Sequence, residues 1–113
     1  MPLAAGDIAW VELDPVLGTE QAGRRPALIV SMNLYNEISR RVLVCPISSR
    51  LRDWPYNVAL PEGIRTKGAV LVDQLRTVDH AVRVFGVIER APPSVLAEVQ
   101  GRLATILGIP VSP

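Results

Sequence analysis

Short β-type runs follow one another from residue 7 to residue 88, separated by glycine, proline and asparagine signals, and only after them does the apolar spacing change to that of a helix. Asp7–Leu13 alternates in the period-2 manner and is closed by Asp14-Pro15. Arg25–Ser31 and Arg41–Ile47 are apolar runs, the first with Pro26 near its start and the second with Pro46 near its end. A proline lacks a ladder donor, so Pro46 must sit at an edge, a bulge or a strand end. Tyr56–Leu60 and Gly68–Val72 flank a turn at Pro61–Lys67, Arg76–Val78 is a sixth small strand, and Val82–Ile88 contains Gly86 as a bulge or bend. In Pro93–Leu107 the residues Leu96, Val99, Leu103, Ile106 and Leu107 recur at helical spacing, with Pro93 in the first turn and Gly108 and Pro110 as the stop. Without βαβ alternation, this order predicts a mainly β domain: a small antiparallel barrel or strongly coiled sheet of six to seven strands, with one C-terminal helix packed on a side.

At 113 residues the chain is read as a single domain spanning 1–113, and an apolar share of 49% marks it as folded. No run reaches the ~18 apolar residues of a membrane span, and no signal-type segment begins the chain, so a cytoplasmic location and no membrane partner are expected. One cysteine, Cys45, and one histidine, His80, leave neither an intrachain disulfide nor a zinc cluster, and no metal or cofactor is expected. Cleavage of a phosphodiester by a pair of histidines from the same chain is excluded on the same count. Cys45 reads as core and His80 as a turn residue.

The net charge of +1 hides an uneven distribution. Residues 1–23 hold four acids and no base, whereas residues 24–83 hold ten Lys/Arg against five acids. Nine of those ten cations are arginines, whose planar fork suits phosphate, so the middle of the chain is either a solvated basic face or the footprint of a polyanion. Two segments stand out as loops: Val16–Arg24, long and aperiodic, and Ser48–Pro55, polar and basic with Trp54 inside it. Asn33–Asn36 reads as a turn.

Gly6–Pro15 (GDIAWVELDP), Gly18–Ala27 (GTEQAGRRPA), the Tyr35-Asn36 pair, Cys45–Ser49 (CPISS) and Val72–Leu75 (VDQL) together resemble the MazF/PemK family of toxin endoribonucleases, in the right order along nearly the whole chain. The resemblance implies an SH3-like barrel of the CcdB/PemK type and a homodimer. It also implies sequence-specific, metal-independent cleavage of single-stranded RNA to 2′,3′-cyclic phosphate and 5′-hydroxyl ends, restrained by a cognate, MazE-like antitoxin. The family's catalytic arginine falls on Arg25 and its catalytic threonine on Ser48, a departure that keeps the hydroxyl and loses the methyl restricting its rotamer. Glu20 matches an acidic position near the RNA and is the available base, or else a salt-bridge partner of Arg24 or Arg25. Gln21, Arg24, Asn36, Ser49, Arg50, Arg52, Trp54, Gln74 and Arg83 are the expected RNA-binding residues. Trp54 and Tyr56 either stack bases or plug an apolar surface. Because Arg24 stands where some members have histidine and the loop Arg50–Trp54 diverges, the cleavage sequence does not transfer. The rival from another class is a CcdB-like gyrase inhibitor on the same fold, which acts through the end of its last helix. Here that end, Leu107–Pro110, has no tryptophan.

Overall fold

A computed structural model describes residues 2–13, 23–50 and 53–110. β1 (Asp7–Glu12), β2 (Arg24–Ile29) and β3 (Arg41–Ser48) form the centre of an antiparallel sheet. β4 (Asn57–Ala59), β5 (Ala69–Leu71), β6 (Arg76–Asp79) and β7 (Val84–Arg90) complete it. The order is β4-β5-β3-β2-β1-β7, with β6 also on β3. No pairing among the described residues joins β7 to β4, so the ring implied by the barrel resemblance stays open and the sheet is a strongly coiled one.

The coiling explains why the central strands are apolar on both faces. Ile8, Leu28, Cys45 and Ile47 point to one side, where Val58, Val70, Val95 and Val99 join them under α3 (Pro93–Ile106). Ala9, Val11, Ala27, Ile29, Val42 and Val44 point to the other, where Val78 of β6 joins them and, among the described residues, no helix contributes, so the sheet covers itself. Pro46 is fully buried inside β3. It is tolerated because it falls between the β6 pairing, which ends at Val44, and the β5 pairing, which begins at Ile47. Gly86 is the expected irregularity: Ala9 pairs with Val87 and Val11 with Val84, leaving an extra residue on β7, and Gly86 adopts φ 130° there.

Three expectations need correction. Asn33–Ser39 is a helix, α1, not a turn. A short helix, α2 (His80–Arg83), precedes β7, and a 3₁₀ turn follows β5 at Val72–Gln74. On α3 the buried stripe runs through Val95, Leu96, Val99 and Leu103, whereas Ile106 and Leu107 are exposed, because the core cluster under the helix reaches no further than Leu103. None of the described helices is long and apolar enough to cross a membrane.

Asn36 accounts for how α1 is fixed, and the structure moves it from the expected RNA-binding surface into the interior. Only 2% exposed, it donates from Nδ2 to the carbonyls of Leu3 and Ser31 and accepts from the Ser31 hydroxyl. Its own carbonyl meets His80 Nε2 at 3.1 Å, so one residue ties the N-terminal segment, α1 and α2 together. Asn36→Ala is expected to lower unfolding free energy by roughly 1–3 kcal/mol through stranded buried groups, leaving activity per folded molecule unchanged. Chemical denaturation beside an activity assay checks both halves.

Candidate active site

β2 and β3 share register only as far as Ala27–Pro46. Beyond that point β2 stays with β1, down to the Glu12–Arg24 pair, while Ile47 and Ser48 of β3 pair with Val70 and Ala69 of β5. The sheet therefore forks, and a groove of about 390 Å³ lies at the fork. Trp10, Pro26, Ile47 and Ile88 give it an apolar lining, to which Arg25, Ser49 and the turn residues Arg65, Thr66 and Lys67 add polar and cationic groups. Arg25 lies two residues past that last pair on β2 and Ser48 two residues past it on β3, so they stand on the two arms of the fork, Arg25 paired with Val11 and Ser48 with Ala69.

Arg25 is half-buried, and the proline that follows it biases its backbone to the extended conformation, which keeps the residue on the strand. Ser48, expected to be partly exposed, is only 3% exposed. The reason is local: its Oγ accepts the Arg50 amide at 3.1 Å, closing a turn at the end of β3. The backbone of Gly68 also lies tight against its carbonyl. A Cβ on Gly68 would stand 2.1 Å from Ser48 O, and the residue adopts φ 120°, so only glycine fits there. Ser49 is exposed and reaches the groove. The two serines thus divide, Ser49 on the lining and Ser48 behind it with its hydroxyl proton still available to donate.

The turn between β4 and β5 supplies residues the sequence reasoning missed. Glu89 on β7 accepts from the Arg65 amide at 3.1 Å, from the Thr66 amide at 2.7 Å and from the Thr66 hydroxyl at 2.6 Å. The hydroxyl contributes most to holding the Glu89 carboxyl below its usual range, partial burial opposes it, and the two amides and the Arg65 charge reinforce it. Nothing local marks these residues in the sequence; three strands from different parts of the chain bring them together.

The other expected residues separate into groups. Glu20, Gln21 and Arg52 lie outside the described residues. Arg24 stacks on the Phe85 ring with its guanidinium carbon 3.8 Å from the centroid, and Arg83 Nη1 donates to the Glu12 carbonyl at 3.3 Å, so both gather at the far end of β1 and neither lines the groove. Trp54 Nε1 donates to Asp73 at 2.9 Å and its ring meets Tyr56 edge-on at 5.5 Å, beside the 3₁₀ turn that carries Gln74. Trp54 is nevertheless half exposed and Arg50 is exposed. Cys45 is core, as expected; burial chiefly, and the Asp73 charge in addition, push its thiol up to about 12, which leaves it no nucleophilic role.

A coiled β sheet backed by a C-terminal helix, with Arg25 and Ser49 lining a cationic groove at its fork and Ser48 behind them, defines a small β domain of one recognisable class. The model of the PemK-like, MazF-like toxins of type II toxin–antitoxin systems matches residues 4–107. The Escherichia coli protein named endoribonuclease PemK is 43% identical over 106 residues, covering 90% of this chain and 80% of that protein. A crystal structure of MazF from Deinococcus radiodurans superposes with a TM-score of 0.91 at 38% identity, over 96% of this chain and 99% of that one. A MazE–MazF structure from the same organism gives 0.84 at 34% identity, over 97% of this chain and 99% of the other. The chain belongs to the PemK-like, MazF-like toxins of type II toxin–antitoxin systems, and the relative named PemK is an endoribonuclease by its name.

Proposed function

We propose that this chain is an endoribonuclease that cuts single-stranded RNA at short sequences without a metal, through attack of the 2′-hydroxyl on the adjacent phosphate. The observation that carries this is the groove at the fork, where Arg25 of β2 and Ser49 at the end of β3 stand beside an apolar lining, with Ser48 next in the chain to Ser49. In the reaction the 2′-oxygen gives its proton to a base and bonds to phosphorus, while the bond to the 5′-oxygen breaks and that oxygen takes up a proton. A 2′,3′-cyclic phosphate and a 5′-hydroxyl result. The fixed guanidinium of Arg25 donates to the charge that builds on the phosphorane, a role that suits a residue always charged and poor at giving up its proton. Ser48 supplies a hydroxyl donor to a phosphate oxygen, Ser49 an RNA contact, and Glu20 is the base. Incubating the purified protein with a long RNA in EDTA and mapping the ends tests the reading. Cyclic phosphate ends are expected; 3′-hydroxyl ends, or loss of all cleavage in EDTA, would overturn it, and intact RNA with inhibited gyrase would select the non-enzymatic rival.

Ser48→Ala is expected to lose most cleavage. Ser48→Thr is expected to retain it only where the added methyl fits, since at 3% exposure a misfit costs about 1–3 kcal/mol of stability. Comparing the rates of these variants with that of Ser49→Ala on one RNA separates the two serines: full activity in Ser48→Ala transfers the role to Ser49.

The proposed assembly is a cytoplasmic homodimer bound alternately by RNA and by a MazE-like antitoxin. Leu34 and Ile38 on α1, and Val82 and Phe85 around α2, leave apolar side chains exposed that a second copy would cover, and the likeness to a MazE–MazF structure supports the antitoxin.

A further inference from the structure

We propose that Glu89 is a positioning residue, and that the turn it holds presents Arg65 and Lys67 as a second phosphate-binding wall that takes an RNA phosphate neighbouring the one handled by Arg25. The inference rests on the RNA-cleaving reading above and assigns a substrate subsite to it. The turn is fixed at both ends. On one side the Glu89 carboxylate gathers two backbone amides and the Thr66 hydroxyl; on the other, Gly68 lies against the Ser48 carbonyl, so the turn is tied to the end of β3 that carries the serines. Glu89 uses its oxygens on the turn's backbone and hydroxyl, and among the described residues neither Arg65 nor Lys67 forms an ion pair. Lys67 Nζ donates to the Ile64 carbonyl at 3.1 Å and keeps two further protons. Among the described residues the groove is lined by three cations and no carboxylate, around the apolar surface of Trp10, Pro26, Ile47 and Ile88. That combination suits a sugar–phosphate backbone whose base lies against the apolar surface, because each phosphate then meets a fixed cation while the base leaves water.

Glutamine at position 89 offers one acceptor oxygen where the turn presents two amides and a hydroxyl, and its NH₂ group faces an N–H. The turn is therefore expected to loosen while the Arg25 side stays in place. The test uses a single-stranded RNA oligonucleotide carrying one cleavage site mapped with the wild-type protein, and the same oligonucleotide with a 2′-deoxy sugar at that site for binding. Glu89→Gln is expected to raise KM about tenfold with kcat within threefold. Arg65→Gln and Lys67→Gln should each weaken binding and lower the slope of log affinity against log salt by about 0.7, the share of one phosphate on a single strand. Combined with the Arg65→Gln/Lys67→Gln pair, Glu89→Gln should add little. A Glu89→Gln effect on kcat alone, a full additional loss in the double background, or unchanged salt slopes in the exposed Arg65 and Lys67 variants would each overturn the proposal. Those two variants also decide it should Glu89→Gln fail to fold. Wild-type protein that leaves the RNA uncut refutes the RNA-cleaving reading itself, a result distinct from cleavage that ignores Arg65 and Lys67.

Discussion

Replacing Arg25 by alanine is expected to lower RNA cleavage by about 10²–10³, the usual loss for removing one preorganised donor to a developing oxyanion. The fold should survive. Arg25 lies beyond the last β2–β3 pair, whereas the core of β2 is carried by Ala27, Leu28 and Ile29, and the pairing of Arg25 with Val11 is made by backbone. Arg25→Lys keeps the charge and loses the fork, so it should recover only part of the rate. The measurement is the single-turnover rate on a mapped RNA beside the thermal midpoint of each variant. A folded alanine variant within threefold of wild type removes Arg25 from the chemistry.

Gly68→Ala is expected to be the most damaging alanine substitution among the described glycines. Its Cβ would enter the Ser48 carbonyl at 2.1 Å and lie 3.0 Å from the Ser49 Cα, both backbone atoms, at a φ of 120° that alanine rarely adopts. Positive-φ strain and the displacement of β3 from β5 together cost about 2–5 kcal/mol, a large part of a small domain's stability. Cleavage should fall as well, because the carbonyl that must move belongs to Ser48. Gly63→Ala is the control: it shares a positive φ of 93° but meets nothing within 4 Å, so it should lose only about 1–2 kcal/mol. Equal denaturation midpoints for the two variants would show that the close approach is not what organises the site.

Much of this molecule could be read from sequence because its strands are buried on both faces and bounded by turn residues. The run Arg41–Ile47 was legible as a strand despite Pro46, since apolar continuity outweighed one missing donor. α1 was not legible: its interior contact is the polar Asn36, while Leu34 and Ile38 face outward, so the segment shows no apolar period and its asparagines mimic a turn. Asn36 was expected at the RNA with the Tyr35-Asn36 pair of the family resemblance, whereas its side chain is spent on interior hydrogen bonds. Arg25 and Ser49 were found through a local motif and do line the groove. Arg65, Lys67 and Glu89 carry no such mark. The turn at Pro61–Lys67 was read correctly, yet its place beside Arg25 depends on β5 leaving with β3 at the fork and on β7 lying along β1, pairings that join distant segments.

The pairing of β1 with β7, which sets Asp7 beside Arg90, also bears on when the protein can act. Contacts so far apart in sequence close large loops before burial offsets the lost entropy, so such pairings form slowly. Glu89 is on that last strand, and the turn it holds is anchored only once β7 has docked. During synthesis, therefore, Arg25, Ser49 and the β4–β5 turn emerge before the strand that completes their groove. A chain shortened before β7 would therefore hold Arg25, Ser49 and the β4–β5 turn without the Glu89 carboxylate that fixes that turn.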